Sequence, residues 1–543
     1  MRRPVSITLE SIDYIIIATY FVIVFGIAWA VKTPKSDNGG QSEDYFLAGR
    51  NLGWFAIGAS LFASNIGSEH LIGLAGAGAS SGLPVAQFEI LAGFILLILG
   101  WVFVPFYLQS GVTTMPEFLE MRYSRAARNY LSFISVVAYV ITKISATIFA
   151  GAVVFEAMGM DFWIGALVVV LSTGIYTAMG GLRAVIYTDT MQVFVMIGGA
   201  ILVTYFGIEA IGGFHAAREQ LSPEFYNLWK AADHPEFPWT GILFGAPILG
   251  IWYWCTDQFI VQRVLSAKNL SQARKGTLFA GYLKMLPMFL FVVPGMVALV
   301  LAQNNQLTLE RPDHALPALI GSVLPMGVRG LVMAGLLAAL MSSLSSVFNS
   351  CSTLITYDFY KVRKPNATDK ELFKVGQIAT VVLVGLGVLW IPLMKYISGG
   401  LFTYVQSIQA YISPPIAAVF LLGLLFKRLN TQGALASLGT GFVLGVGRLI
   451  LEINKESLSG FFYNLATMNF LNFAFFLFVI CSAVLIAVSL MTAAPDAAKI
   501  EKVCFNADTP KVPTNMTEIG LSLLLIVIIA ITWIVFSPLG IGA

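Results

Sequence analysis

The chain has 543 residues, 57% of them hydrophobic and only 11% charged, and a formal net charge of +3. A soluble domain carries about 25% charged residues, so the composition excludes an ordinary globular protein and points to an all-α polytopic membrane protein. No basic cluster resembles a nucleic-acid surface, and Cys255, Cys351, Cys481 and Cys504 show neither metal nor disulfide spacing.

Fourteen apolar segments of spanning length follow one another, at roughly 12–31, 53–74, 83–108, 130–158, 160–179, 186–211, 239–264, 276–303, 327–357, 375–396, 400–427, 432–453, 465–493 and 518–540. Glu10 and Asp13 precede the first and no small-residue cleavage site follows it, so it reads as an uncleaved span. Alternate loops hold 21 of the 32 basic residues and the opposite loops, termini included, hold eight. That bias puts both termini outside, and a plasma membrane is the expected location. The sequons at Asn269, Asn366 and Asn515 then fall on the inner face and stay unmodified.

The second segment carries Ala63-Ser-Asn-Ile-Gly-Ser-Glu-His70 at mid-membrane depth. An ionisable residue there is costly and marks a functional site, and Gly67 with its polar neighbours weakens the helix. A discontinuous helix is expected, its freed carbonyls available to a cation. The seventh segment is interrupted by Gly245-Ala-Pro-Ile-Leu-Gly250, with Trp252-Tyr-Trp254 directly after. Broken helices opening two five-helix units of opposite orientation indicate a LeuT-like 5+5 inverted repeat. The division is 1–52, an extra helix and linker; 53–211, the first repeat; 212–238, an outer loop; 239–428, the second repeat; and 429–543, accessory helices.

The ninth segment contains Ser342, Ser343, Ser345 and Ser346. Neutral hydroxyls and backbone carbonyls suit a hard cation such as sodium, although serines also pack helices closely. Glu89, Lys143, Lys284 and Gln406 are polar residues inside spans that would line a path for a hydroxyl-rich solute. A Glu–Lys pair that merely ties helices together is an equally good account of Glu89 and a lysine. Tyr253 and Trp254 would stack on a sugar ring or belong to an interfacial belt. Asp189 reads as a carboxylate near a cation or as a helix cap. Arg448 has no evident partner.

These residues carry a resemblance. Asp44-Tyr-Phe-Leu-Ala-Gly-Arg50, Ser64-Asn-Ile-Gly-Ser-Glu-His70, Gly180-Gly-Leu-Arg-Ala184, Trp252-Tyr-Trp-Cys-Thr-Asp-Gln258, Ser342-Ser343 and Tyr404-Val-Gln-Ser-Ile408 together resemble the sodium/solute symporters, in their sodium/glucose cotransporter branch. The resemblance implies a sodium site of the Ala63, Ile66 and Ala339 carbonyls with the Ser342 and Ser343 hydroxyls. It implies a second sodium site at Asp189, Ser345 and Ser346, sharing Ser342. It implies a sugar pocket of Asn65, His70, Glu89, Lys284, Tyr253, Trp254 and Gln406, and gates at Leu74, Phe88, Phe402 and Tyr253. The chain departs from the pattern at Ile90, where sugar-carrying members usually have Trp, and at Gly250, where some have a polar sugar contact.

The expected protein is a sodium-coupled symporter that imports a glucose- or galactose-like monosaccharide by alternating access. It needs no cofactor beyond Na⁺ as coupling ion and no obligatory protein partner, and its partners are sodium, a small sugar or polyol, and the lipid bilayer. Myo-inositol, a sugar acid or an amino acid is the rival solute, and a sugar sensor that does not transport is a rival class. An enzyme is not expected, because no nucleophile with a nearby base is evident.

Overall fold

The computed structural model describes residues 7–31, 41–67, 69–157, 159–394, 401–505 and 515–543. Its principal helices are α1 (Ser11–Ala30), α2 (Trp54–Asn65), α3 (69–81), α4 (Leu83–Ser110), α5 (Arg125–Glu156), α6 (Phe162–Ala210), α7 (Gly241–Thr256) and α8 (Gln258–Leu265). They continue with α9 (Leu270–Gln303), α10 (Val328–Arg363), α11 (Asp369–Met394), α12 (Leu401–Leu425), α13 (Thr431–Ile453), α14 (Phe470–Met491) and α15 (Met516–Val535). Eleven helices among the described residues are long and apolar enough to cross a membrane, against fourteen expected segments. The difference has two sources. The 49-residue α6 holds two expected segments, and the two broken segments are each divided into shorter pieces.

The gap expected between 179 and 186 narrows to a kink at a single residue. Two helices, numbered together as α6, meet there at Gly181, whose backbone is not helical (φ 55°, ψ −152°). A side chain there would strain the backbone and its β-carbon would strike the Tyr45 carbonyl, so only glycine lets α6 turn against the 41–47 helix.

The first break falls where the sequence placed it. Helix α2 stops at Asn65, Ile66 is extended (φ −73°, ψ 103°), and the chain resumes in a π-helical turn, Glu69–Leu74. Gly67 sits close to α10, where a β-carbon would stand 2.9 Å from Ser343 Oγ. The second break does not fall at Gly245–Gly250. That run is helical and continuous with π-helical turns at Gly241–Gly245 and Ile251–Thr256, and the wider π turn before Pro247 accommodates its missing N–H. The chain breaks at Asp257 instead (φ −78°, ψ 125°), whose carboxylate accepts from the Phe259 N–H and caps α8.

The breaks are buried against α10 and α12, and α10 packs on both α2 and α8. Peripheral helices turn Ile15, Val22, Phe194, Leu389 and Val443 outward, an apolar surface suited to lipid tails. Helix α15 staples α4 to α9. Glu518 accepts from Arg274 (2.9 Å) and Ser271 (2.6 Å), Ser522 from Trp101, and the Trp533 indole donates to Gln87. Four of the 21 basic residues counted for orientation are buried in such work: Arg122, Arg128, Arg263 and Arg274. Arg122 donates to the carbonyls of Gly423, Phe426 and Leu429 and so closes the end of α12.

Candidate functional site

The break in α2 presents two faces, and each gathers its own set of side chains. On the α10 side, Ser342 Oγ lies 2.9 Å from the Ala63 carbonyl oxygen and 3.0 Å from that of Ala339. Ser343 stands against Gly67, directly after Ile66. Ala63, Ile66, Ala339, Ser342 and Ser343 are all buried, and the fold brings them to one place.

Asp189 reaches the same helix from α6. Its Oδ2 accepts from Ser60 (2.6 Å) and Ser64 (3.1 Å), and the Ser64 hydroxyl is 2.8 Å from that of Ser346. Asp189 Oδ1 is buried without a hydrogen-bond partner. Asp189 is therefore no helix cap. Ser345 donates to the Ser342 carbonyl of its own turn at 3.0 Å, which leaves its oxygen lone pairs free to accept. Sequence reasoning missed Ser60 and Arg263, whose Nε is 3.3 Å from Ser60 Oγ. The one local signal was that Ser60 and Ser64 are spaced i, i+4 on a single helix face.

On the other side of the break, Asn65, His70, Glu89 and Lys284 form a continuous network. The Lys284 ammonium donates to Glu89 and to Asn65 Oδ1, and Asn65 Nδ2 donates to the Tyr253 hydroxyl (2.9 Å). His70 Nε2 lies 3.1 Å from Glu89 Oε1. With the Gly67 N–H facing Nδ1 at 3.5 Å, the network assigns the imidazole proton to Nε2. These groups line one cavity with Trp254, Phe88 and Gln406, joined by Glu69 and Gln409, which the sequence reading had not assigned. All seven residues expected in the sugar pocket thus share one cavity. Lys143 lies beside it, its ammonium 4.1 Å from the ring centres of both Tyr253 and Phe259.

Gly250 packs against Ile95 where the related pattern has a polar group, and Ile90 is buried in the core. Of the expected gates, Leu74 is fully buried, and Phe88 stacks on Phe470 (6.4 Å, 12°) and meets Phe237 edge-on (6.4 Å, 74°). The Phe402 side chain lies outside the described residues.

A helical bundle with two interrupted elements around a polar centre is the architecture of LeuT-like cation symporters. The chain matches a Na⁺-coupled sialic acid symporter with a TM-score of 0.77 at 20% identity, over 90% of this chain and 99% of that one. It matches MHP1, a nucleobase-cation-symport-1 family transporter, with a TM-score of 0.53 at 13% identity, over 84% of this chain and 97% of that one. Residues 45–441 match the sodium:solute symporter family. Sodium/glucose cotransporter 1 of Oryctolagus cuniculus is 40% identical over 92% of this chain and 82% of its own length. The sodium/myo-inositol cotransporter of Homo sapiens is 38% identical over 92% of this chain and 76% of its own length. The chain belongs to the sodium:solute symporter family.

Proposed function

We propose that this protein is a plasma-membrane symporter that couples inward sodium movement to import of a glucose- or galactose-like monosaccharide. The observation that carries the reading is the Lys284–Glu89–His70–Asn65 network beside Trp254 and Gln406, with Asn65 two positions from Ala63 of the Ala63–Ser342 cluster. Ammonium, carboxylate and amide groups together recognise vicinal hydroxyls without requiring a charged solute. Sodium occupies the site formed by Ala63, Ile66, Ala339, Ser342 and Ser343. A second ion uses Asp189, Ser345 and Ser346 with Ser342, the carboxylate offsetting the ion's charge.

Asn65 is the last residue before the break and Ala63 lies two positions earlier. A cation held by the Ala63 and Ile66 carbonyls orders the end of α2 that sets Asn65, and through it Tyr253 and Lys284. Sodium thereby prepares the sugar cavity. Phe88 and Leu74 close above the sugar, with Phe402 completing that lid, and Tyr253 opens inward to release it. The solute leaves unchanged, so the protein is not an enzyme. An entering sodium ion gains about 2.3 kcal/mol per 100 mV and about 1.4 kcal/mol per tenfold gradient, enough for roughly 500-fold accumulation per ion.

The loop charge bias supports both termini outside. Myo-inositol is the second reading, supported by the relative that carries that name. Sodium-dependent uptake of labelled glucose, galactose, myo-inositol, a sugar acid and an amino acid into proteoliposomes separates these. Uptake indifferent to sodium, or confined to the charged solutes, would overturn the proposal.

A further inference from the structure

A buried arginine links the two broken elements. Arg263 on α8, Ser60 on α2 and Asp189 on α6 are all completely buried. Ser60 accepts from Arg263 Nε at 3.3 Å and donates its one proton to Asp189 Oδ2 at 2.6 Å. A single hydroxyl therefore separates the guanidinium from the carboxylate, and each charge keeps an unused atom. Arg263 Nη2 and Asp189 Oδ1 have no hydrogen-bond partner among the described residues. The same is true of Asp257 Oδ2, at the second break. Arg263 is held meanwhile by neutral groups: Nη1 donates to the Phe259 carbonyl, and the guanidinium lies 5.5 Å from the centre of the Phe259 ring. Its charged neighbours are the carboxylates of Asp189 and Asp257.

Buried charges without a direct partner are costly, and a guanidinium cannot shed its proton to escape that cost. An arginine with a free N–H, flanked by two carboxylates that each keep a free oxygen, has two alternative positions of similar chemistry. Two such positions are what a two-state element requires, and a cation at Asp189 biases the choice by repulsion. We propose that Arg263 is an internal counter-ion of the transport cycle, closing on Asp189 when sodium leaves and withdrawing toward Asp257 when sodium binds. The ion-free carrier then returns without a bare carboxylate at its centre. The guanidinium also helps the ion to leave, because it takes over the contact that sodium gives up. Arg263 is thus a positioning residue that acts through Asp189. The inference rests on the reading of Asp189, Ser342, Ser345 and Ser346 as a second sodium site, and deepens it.

The test is equilibrium binding of radioactive sodium to the full-length protein in lipid nanodiscs. The parent protein should bind two ions. Arg263→Gln removes the competing charge and should tighten one of the two several-fold. Arg263→Lys keeps the charge, but a lone ammonium that gives up the Phe259 carbonyl and sits on Asp189 should weaken that ion several-fold. A merely structural role would move both variants in one direction. Two bound ions with the variants shifted alike, or with neither shifted, would overturn the inference alone. Both variants disturb a buried group, so the parent is also read directly, with isotope-labelled arginine and aspartate. Infrared difference spectra between sodium and choline buffers should show guanidinium and carboxylate bands shifting together; carboxylate bands that shift while the guanidinium bands stay fixed would overturn the swing. In proteoliposomes, net glucose uptake by Arg263→Gln should slow several-fold more than glucose exchange at equal sodium, since only net uptake needs the empty return. Equal slowing of the two would overturn the role in that return. One bound ion in the parent, unchanged by Ser345→Ala, would overturn the second-site reading and this inference with it.

Discussion

Ser343 faces Gly67 across the break, so replacing it removes one oxygen from the proposed sodium site and leaves the backbone in place. Ser343→Ala should raise the half-saturating sodium concentration for uptake at least tenfold, equivalent to about 1.4 kcal/mol of lost ion binding, with the thermal midpoint almost unchanged. Sodium titration of uptake, with a melting curve alongside, measures both. Gln406 belongs to the other set. Gln406→Glu should weaken sugar affinity while sodium affinity at saturating sugar stays within about twofold. Glu89→Gln should do the same and also lower the melting temperature, because the buried Lys284 ammonium loses its carboxylate, a change worth about 3–5 kcal/mol. A Gln406→Glu protein that lost sodium binding first would reverse the assignment of the two sets. Much of this was legible at the level of residue type, since a Glu, a His and an Asn inside an apolar run are expensive and therefore conspicuous. Ser60 and Arg263 were not. The Asp189–Ser60 bond spans 129 positions and the Arg263–Ser60 contact spans 203, and no local pattern encodes a pairing of that range. Arg448 became intelligible for the same reason, once α14 and the Met468 carbonyl were placed against it.

Among the elements, the two breaks show where periodicity informs and where it misleads. Gly67 stands among polar residues and does end α2, whereas the more prominent Gly-Ala-Pro run leaves α7 helical because a π-helical turn precedes the proline. The true interruption, Asp257, looked like an ordinary polar residue after an aromatic run, and only its capping bond to Phe259 identifies it. Gly181 offers a direct test of the kink between the two helices of α6. Gly181→Ala should lower the thermal midpoint by the equivalent of about 1–3 kcal/mol, from positive φ and contact with Tyr45. Gly198→Ala in the same helix, where a β-carbon meets nothing within 4 Å, should leave it level or raise it. Equal melting curves for the two would remove the role assigned to the bend. The loop before α7 adds a pH dependence. His234 Nδ1 accepts from the N–H groups of Glu236 and Phe237, which holds Phe237 toward Phe88. Partial burial and then the Lys230 charge lower the imidazole pKa from its ordinary 6.5. The folded turn thus favours the neutral ring. Its contribution is complete above the unfolded pKa and is lost as pH falls through the lower folded value. Amide-exchange protection at 236 and 237, corrected for intrinsic rates, should drop between pH 7 and pH 5 and become flat in His234→Ala.

For the molecule as a whole, the decisive quantity is the coupling ratio. Asp189 supplies a buried carboxylate with one oxygen lacking a hydrogen-bond partner, and Ser345 keeps its lone pairs after donating to its own turn. Reversal potentials in proteoliposomes should give two sodium ions per sugar, falling to one in Ser345→Ala. A ratio of one that the substitution does not change would leave the second site without a role. The polar groups of the proposed sugar cavity bear on the pace of the whole cycle. Lys284, Glu89, His70, Asn65 and Tyr253 already satisfy one another. An arriving hydroxyl must exchange an internal bond for an external one, so the number of bonds hardly changes and the heat released on docking is small. Selectivity then comes from the geometry of the exchange, while the solute's residence time stays short. A receptor built this way would hold its ligand poorly, but a carrier must let go of its cargo on every turn, and a pocket that closes its own hydrogen bonds behind the departing sugar helps to expel it.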